Sequence, residues 1–424
     1  MNVETMDLER AVSSLLAGDP LIVRNPYPVY RRMREKGAVY WHKPDMPFVT
    51  THAEAKSALQ DDQRLLTRRD EDRFKLDSLS EEDRKRAREI VAFEALHLSG
   101  MNGPVHQRVR SAAVRAFTPS RIAHLGEFAR KTANDFLDDL SKKEDCDLVQ
   151  MSYRLPLLVL MELLGAPHED ADLLKSWGDD LAGVKGFAAA GVPSAKIKAG
   201  HQAISNLRAY AASLVERHRR QPNNLSLLGV LVEARDNGRI NDEELTGTLV
   251  IILYAGHLTT TDLLGTGIHD LLVHRDQWAR LCADPSLAKG AVEEALRFNA
   301  PVQMMPRIPA VDVDIAGNKI AAGTSLMLLF GSANRDPAVF NDPNRLDISR
   351  ANIEHLAFGK GVHVCIGSSL ARLEAQAVFE TICRRFPEMQ LAADPETLEW
   401  NPHPKFHGVK RLPVRLGRDG GRTA

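Results

Sequence analysis

The sequence predicts a mainly α-helical protein with a small β-rich part. Apolar residues recur every three to four positions through most of the 424 residues, which is the helical period. Strand-like alternation is limited to a few short segments. No linker rich in Ser, Gly or Pro and no repeat of fixed period divides the chain. We therefore expect one domain over residues 1–424, with β-rich parts near 38–51, 311–330 and 390–416.

The individual elements follow from these patterns. Helical periodicity predicts helices over Pro28–Lys36, Val105–Ala116, Ala123–Leu140, Leu155–Leu164, Ala203–His218, Leu225–Arg235, Glu243–Leu272, Leu287–Phe298 and Ile366–Phe386. Alternation predicts strands at Val39–Trp41 with Phe48–Thr50, Val311–Ile315 with Asn318–Ile320, Ser325–Leu329 and Val409–Leu416. Two regions interrupt the helices, the charged Asp70–Ser99 and the Gly- and Ala-rich Gly183–Ala199. Loops this long are usually lids or disordered segments. We expect these two regions to be lids that cover a binding site.

Charge and composition exclude several classes of partner. The chain carries 55 Lys and Arg against 56 Asp and Glu, a net charge of −1, so neither nucleic acid nor an acidic membrane is an expected partner. Four widely spaced cysteines without a C-x-x-C pair argue against disulfides and structural zinc. The N-terminal segment lacks a signal-peptide pattern, and the longest apolar run, Leu249–Ala255, is too short to span a bilayer. We expect a cytoplasmic protein.

A single cysteine stands on a glycine-rich loop in front of a predicted helix. The segment from Phe358 to Gly367 reads F-G-K-G-V-H-V-C-I-G, with the cysteine at position 365. Free N–H groups at the start of a helix lower the pKa of a nearby thiol. The glycines allow the backbone to lie close to a flat ligand. Taken alone, Cys365 is better explained as a small buried apolar residue, which is how most free cysteines behave.

The whole pattern F-G-x-G-x-H-x-C-x-G resembles the heme-binding loop of the cytochrome P450 family at six fixed positions. The resemblance implies the cytochrome P450 fold and heme b, iron protoporphyrin IX, as cofactor. It makes Cys365 the axial ligand of the heme iron, with Phe358, Gly359 and Gly367 shaping the loop. It extends from Asn25-Pro26-Tyr27-Pro28 to Leu412-Pro413-Val414.

Two further motifs of the family support the heme side of the fold. Glu294 and Arg297 lie three residues apart, on one helical face, and such a pair is often only a surface ion pair. Here it resembles the family's E-x-x-R motif. Pro343-Asn344-Arg345-Leu346 resembles the meander motif, although Asn344 and Leu346 replace the usual Glu and Phe. The resemblance implies a structural ion-pair network of Glu294, Arg297 and Arg345.

The two heme carboxylates require cationic partners. His106 and Arg110 form an H-x-x-x-R pair, Arg307 follows the segment Pro301-Val302-Gln303, and His363 lies two residues before the cysteine. Each of these residues alone could be an ordinary surface side chain. Their matching order resembles the family's propionate ligands, and charge-assisted hydrogen bonds suit this role.

The longest predicted helix carries a sequence that resembles the family's oxygen-activation motif, Tyr254-Ala255-Gly256-His257-Leu258-Thr259-Thr260. The small residues Ala255 and Gly256 allow a close approach to the heme. A threonine that bonds back to a carbonyl loosens the helix and admits O2 and water, and Thr259 takes this role. The residue before it is normally Asp or Glu, but this chain has Leu258.

In the family, that acid helps to deliver the two protons that oxygen activation consumes. Leu258 carries no proton, so delivery must use Thr259, Thr260, His257, water or a polar substrate. Three alternatives follow. The enzyme is a monooxygenase with a substituted relay, or it uses peroxide, which brings its own protons, or the substrate takes part in a less usual oxidation.

Residues that line the substrate pocket follow from helical spacing and from the resemblance. Ile251, Tyr254, Ala255 and Thr259 share one helical face. Met304, Met305, Leu96, His97 and Phe406 resemble substrate-facing positions of the family, although the Met pair is equally explained as core filler.

The resemblance implies a monooxygenase that hydroxylates or epoxidises an organic secondary metabolite. Electrons would come from NAD(P)H through a ferredoxin reductase and a ferredoxin, with Arg108, Arg115 and Lys360 as candidate docking residues. The rival hypothesis is a non-catalytic heme-binding helper or sensor, which only the missing acid supports. The substrate itself does not follow from the fold.

Overall fold

The computed structural model describes residues 4–67, 74–184, 191–223 and 226–421. It confirms the expected class, because helices dominate and the strands are few and short. The helices are α1 Leu8–Leu16, α2 Pro20–Val23, α3 Tyr27–Lys36, α4 His52–Gln60, α5 Glu81–Ala95, α6 Gly103–Val114, α7 Pro119–Leu140, α8 Leu148–Leu164, α9 Ala171–Gly183, α10 Ser194–Arg220, α11 Leu227–Asp236, α12 Asp242–Val273, α13 Arg275–Ala283, α14 Ala288–Phe298, α15 Phe330–Ala333 and α16 Ser368–Arg385.

The strands within the described residues form three small sheets. They are β1 Val39–Lys43, β2 Met46–Val49, β3 Leu65–Leu66, β4 Cys146–Asp147, β5 Met304–Pro309, β6 Val313–Ile315, β7 Asn318–Ile320, β8 Leu326–Leu329, β9 Gln390–Leu391 and β10 Pro413–Arg415. The largest sheet has the order β1-β2-β8-β5-β3, and the others are β4-β10-β9 and the β6-β7 hairpin. In the largest sheet only the pairing of β2 with β8 is parallel.

Helix α12 runs through the main core. A capping box starts it, because the Asn241 side chain accepts from the Glu244 amide while the Glu244 carboxylate accepts from the Asn241 amide. Gly247 allows close packing, since a side chain there would overlap the Leu96 carbonyl. By length and composition α12 is apolar enough to cross a bilayer, with a mean hydropathy of 1.2 in its most apolar window. However, 67% of that window is buried inside the protein, as in a core helix.

One predicted loop is mostly helical. Asp70–Arg73 lies outside the described residues, but α5 occupies much of the remainder of the Asp70–Ser99 region. Ser80 caps α5 by accepting a hydrogen bond from the Asp83 amide. Apolar residues spaced at 87, 90, 91 and 93 are buried. The density of charges hid this amphipathic pattern, because most of the charged side chains lie on the solvent face of the helix, while Asp83 and Glu94 are buried.

The second predicted loop is shorter than expected. Helix α9 continues to Gly183 and α10 begins at Ser194, so the Gly183–Ala199 region is helical at both ends. Residues 185–190 lie outside the described residues. Sequence periodicity also missed β5, a strand in the middle of the largest sheet. Its two prolines argue against a central strand, yet β8 on one side and β3 on the other both pair with it.

Candidate active site

A cavity of about 330 Å³ lies between α12 and the loop that carries Cys365. Its walls come from α6, α8, α12, β5, the start of α16 and the segment around Phe406. The cysteine is surface-accessible and lines this cavity. The Cys365 sulfur therefore faces an internal space.

The cysteine loop is shaped by two glycines in the left-handed region. Gly359 and Gly361 have φ values of 70° and 72°, which favour glycine. A side chain at Gly361 would also meet the Leu59 carbonyl. The Cys365 amide donates to the Phe358 carbonyl at 2.9 Å and closes the loop.

Burial raises the pKa of the Cys365 thiol, while a hydrogen bond from the Gly367 amide and the charges of Arg110 and Arg372 oppose this shift. The expectation of a lowered pKa is therefore wrong for the protein alone. Helix α16 begins only at Ser368, three residues after the sulfur, and burial outweighs the helix N-terminus.

The four predicted propionate ligands lie around this same cavity. Arg110 Nη2 donates to the Val364 carbonyl at 2.6 Å, which ties α6 to the cysteine loop. The rings of His106 and His363 are 4.0 Å apart, and His106 Nε2 is buried with no hydrogen-bond partner among the described residues. The Arg307 side chain reaches the cavity from β5. This set offers cations and ring N–H donors to an anionic ligand.

Glu294 and Arg297 form a fully buried ion pair on α14. Two bonds of 2.7 Å join the guanidinium to the carboxylate, and both side chains are 0% exposed. Arg297 also donates to the carbonyls of Asn334 and Pro343. Buried charges need such complete hydrogen bonding, so the pair connects α14 with the segment that leads to the cysteine loop.

Arg345 is not the third side chain of this network. It is exposed and contributes only its backbone carbonyl, which accepts from Arg297 and from Arg350. The guanidinium that meets Glu294 belongs to Arg350, at 3.2 Å. The neighbouring Leu346 packs into the core, which turns the Arg345 side chain outward.

The predicted oxygen-activation residues lie over the cavity. Ala255, Gly256, Thr259 and Thr260 line it. Thr259 Oγ1 donates to the Ala255 carbonyl at 3.1 Å, and Thr260 Oγ1 donates to the Gly256 carbonyl at 3.2 Å. These bonds to the i−4 carbonyl are the kind that bends a helix. Leu258 packs against the core instead of lining the cavity.

His257 points away from the cavity, so it is not available as a proton donor there. It lies two residues from Thr259, which places it on a different face of the helix. Its Nδ1 bonds to the Leu253 carbonyl at 2.8 Å and its Nε2 to the Tyr153 hydroxyl at 3.2 Å. Burial lowers the pKa of His257 to about 4, so the ring is neutral.

The predicted substrate residues divide into two groups. Ile251, Tyr254, Met305 and Phe406 line the cavity, together with Ala255 and Thr259. Met304, Leu96 and His97 do not. Met304 is on the opposite face of β5 from Met305 and packs into a separate core with Met327. Leu96 packs against Gly247, and the His97 ring meets the Phe93 ring edge-to-face, with the ring centroids 5.0 Å apart.

The three candidate docking cations are partly exposed and engaged with carboxylates. The pairs are Arg108–Glu244 at 2.6 Å, Arg115–Glu233 at 3.8 Å and Lys360–Glu354 at 3.4 Å. The Arg108 pair has two bonds, and Arg108 lowers the pKa of Glu244. Arg108 therefore has a structural role at the start of α12.

Sequence reasoning missed two buried carboxyl groups. Glu374 lines the cavity, is 2% exposed, and has one oxygen without a hydrogen-bond partner in the described part of the chain. Burial raises its pKa well above the usual value. Asp262 lies on α12 three residues after Thr259, and burial raises its pKa to about 7. The only sequence signal was an acidic residue inside an otherwise apolar helix.

Known proteins resemble this chain over almost its entire length. A family model described as Cytochrome P450 matches residues 281–410. Cytochrome P450 monooxygenase PikC of Streptomyces venezuelae is 34% identical over 415 residues, which cover 94% of this chain and 93% of the relative. The biotin biosynthesis cytochrome P450 of Bacillus subtilis strain 168 is 31% identical over 398 residues, covering 92% and 96%.

Solved structures agree with this result. The structure of P450BioI in complex with a hexadec-9Z-enoic acid ligated acyl carrier protein has a TM-score of 0.83 and 30% sequence identity, covering 93% of this chain and 99% of that chain. A cysteine that faces a cation-lined cavity beneath a threonine-bearing helix defines a heme-thiolate protein. This chain belongs to the cytochrome P450 family. It is a monooxygenase that uses heme, O2 and electrons from a redox partner.

The residues around the cavity fit a heme. Cys365 would provide the sulfur for the iron, and Arg110, Arg307, His106 and His363, which line the same cavity, would hold the two propionates. In this arrangement the Nε2 of His106, which has no hydrogen-bond partner among the described residues, would form a hydrogen bond with a propionate oxygen.

Proposed function

We propose that this enzyme inserts one oxygen atom from O2 into an apolar organic molecule, by hydroxylation or epoxidation. The observation that carries this proposal is a single cavity that combines Cys365, Thr259 and apolar walls from residues such as Met305 and Phe406. For a hydroxylation, R–H, O2, two electrons and two protons become R–OH and H2O. The bound heme supplies the oxygen-activating chemistry.

The protein residues have separate tasks in this proposal. Ala255 and Gly256 leave space for O2 beside Thr259, whose hydroxyl passes protons to the cavity. Ile251, Met305 and Phe406 exclude water and orient the substrate. Cys365 and the predicted propionate ligands His106, Arg110, Arg307 and His363 fix the position of the cofactor.

The proposed electron route runs from NAD(P)H through a ferredoxin reductase to a ferredoxin that docks near the cysteine loop. We expect the charge reversals Arg115→Glu and Lys360→Glu to slow reduction by an acidic ferredoxin at low salt, with the difference shrinking as salt rises. Arg108→Glu is unsuitable because it would break the pair with Glu244. Lys319→Glu, on the β6–β7 hairpin, is the matched control. Equal reduction rates in all variants at low salt would contradict the docking surface.

A second candidate is a peroxide-using enzyme, and a third is an oxidation in which a polar substrate supplies protons. Both rest on Leu258, which occupies the position of the usual acid. Product formed with hydrogen peroxide but not with O2 and reductant would identify the peroxide route. Product formed with O2 only from substrates that carry an ionisable group would identify the substrate-assisted route.

The first experiment is a spectral titration of the purified protein with compounds grouped by class. Because a neighbouring structure contains an acyl group on a carrier protein, the panel includes free and carrier-bound fatty acids beside steroids, terpenes and macrolides. An apolar substrate that displaces iron-bound water changes the spin state and shifts the main absorption band. Protein that takes up no heme, or whose spectrum lacks thiolate character, would contradict the assignment of Cys365.

A further inference from the structure

The distal side of the cavity lacks a proton donor at the usual position. Leu258 cannot carry a proton, and His257 is neutral and faces away from Thr259. Oxygen activation with O2 and electrons nevertheless consumes two protons for each product. If the proposed function is correct, these protons reach Thr259 through water, through the substrate or from another acid close by, and the chain offers one such acid.

Asp262 is close to Thr259 along the same helix. Helix α12 is continuous from Asp242 to Val273, so residues three and four apart share a face with about 5–6 Å between their Cβ atoms. Asp262 follows Thr259 by three residues and Leu258 by four. It places a carboxyl group one helical turn beyond the position that Leu258 occupies.

The Asp262 carboxyl lies between α12 and the segment that closes the cavity. Its Oδ1 occupies the space that a side chain at Gly408 would need. Two residues earlier, Phe406 pairs with Val302, and both line the cavity. The segment that contacts Asp262 is therefore continuous with the cavity wall.

The carboxyl group is not held by a counter-charge. No hydrogen bond or ion pair joins it to any residue in the described ranges. Asp262 is half-buried, and its unpaired carboxyl keeps accessible surface. Water, which conducts protons, therefore reaches this group.

The charged environment leaves Asp262 able to hold a proton near neutral pH. The titratable residues nearest to Asp262 and Gly408 along the chain are His257, His269 and Asp270 on α12, and Lys405, His407 and Lys410 around Gly408. Burial lowers the pKa of His407 to about 4, so this ring is neutral. Burial is the only cause that raises the pKa of Asp262, which reaches about 7.

We propose that Asp262 supplies the protons that Leu258 cannot, passing them through water and the Thr259 hydroxyl to the distal cavity. The neutral carboxylic acid gives up one proton, becomes a carboxylate and regains a proton from solvent, once for each of the two protons consumed. Asp262 acts through Thr259 and does not touch the substrate, so it is a positioning residue. This inference rests on the proposed function.

The test compares Asp262→Asn, which keeps the shape but cannot titrate, with Asp262→Glu. In Asp262→Asn we expect product formation with O2 and reductant to fall at least about tenfold, with more hydrogen peroxide released per electron pair. Product formation with added hydrogen peroxide stays unchanged, because peroxide brings its own protons. Asp262→Glu, and Leu258→Glu placed in the Asp262→Asn background, restore the O2 reaction. Glu243→Gln, an exposed change on the same helix, is the matched control.

Two readouts separate a proton role from a structural one. In infrared spectra of the wild type, a protonated-carboxyl band disappears as the pH rises through about 7, and Asp262→Asn lacks this band. The wild-type rate with O2 falls over the same range, while the variant shows no such step. If Asp262→Asn forms as much product per electron pair as the wild type, the inference is overturned. It is also overturned if the variant loses the O2 reaction and the peroxide reaction to the same extent. A wild type that gives no product by either route overturns the proposed function as well.

Discussion

At the scale of single residues, burial decides the behaviour of the groups in the site. Burial is the largest cause of the raised pKa of Cys365, Asp262 and Glu374. His257 and His407 show the opposite shift for the same reason, because burial disfavours the charged ring. The site therefore contains neutral acids and neutral histidines, and its positive charge lies on Arg110 and Arg307 among the predicted propionate ligands.

Cys365→Ser is expected to retain the fold and lose the thiolate spectrum. The Cys365 side chain faces the cavity and contributes little to core packing, while a serine hydroxyl does not provide a thiolate for the iron. The absorption spectrum of the reduced protein with carbon monoxide is the measurement. Cys282→Ser on α13 is the control. A thiolate spectrum retained in Cys365→Ser would show that another group binds the iron.

Asp262→Asn is expected to change the pH dependence of stability. The folded-state pKa of about 7 lies above the usual value of 3.8, so the wild-type contribution is complete below about pH 4 and is lost as the pH rises to about 7. As the pH rises from about 4 to about 7, the melting temperature of the variant should therefore increase relative to that of the wild type. Above pH 7 the difference between the two melting temperatures should stay constant. Thermal unfolding of the heme-free proteins at several pH values measures this difference. A constant difference across the range would contradict the raised pKa.

At the scale of elements, the Glu294–Arg297 pair joins segments that are far apart in the chain. The carboxylate also accepts from the Asp347 amide at 2.9 Å and from Arg350. Helix α14 is thereby attached to the segment before the cysteine loop at several points. This arrangement explains why two buried charges are tolerated away from the reacting groups.

Glu294→Gln is expected to destabilise the protein by about 3–5 kcal/mol, because it leaves the Arg297 charge buried without its counter-charge. Arg345→Ala should cost less than about 1 kcal/mol, since the Arg345 side chain is exposed and only its carbonyl is used. Urea unfolding of both variants gives the comparison. Equal losses of unfolding free energy in the two variants would show that the Arg345 side chain takes part in the network, and would contradict the role of Arg350.

At the scale of the whole molecule, the cavity lies where elements from distant parts of the chain meet. Helices α6, α8, α12 and α16 and strand β5 all contribute to its walls. A ligand that binds all of them should stabilise the folded state as a unit, because it binds the folded chain and not the unfolded one.

Heme is therefore expected to raise the free energy of unfolding by about 4 kcal/mol when it is present at about 1,000 times its dissociation constant. Differential scanning calorimetry of the protein with and without heme measures the effect. In Cys365→Ser the gain should be smaller, because only the propionate contacts remain. A gain as large as in the wild type would mean that the iron–sulfur bond contributes nothing to stability.

The sequence by itself determined the fold class, most of the long helices and the identity of the heme loop. These features are local, because helical periodicity, glycine positions and motif spacing are properties of neighbouring residues. The same reasoning placed Ala255 and Thr259 on one face of α12, and the structure has them there. It failed at α5, where charges masked the apolar face.

Only the tertiary structure decided which side chains meet. It selected Arg350 over Arg345, placed Met305 and not Met304 in the cavity, and directed His257 toward Tyr153. It also created the buried environments of Asp262 and Glu374. These outcomes depend on packing between segments that lie far apart in the chain, and local pattern carries no information about such contacts.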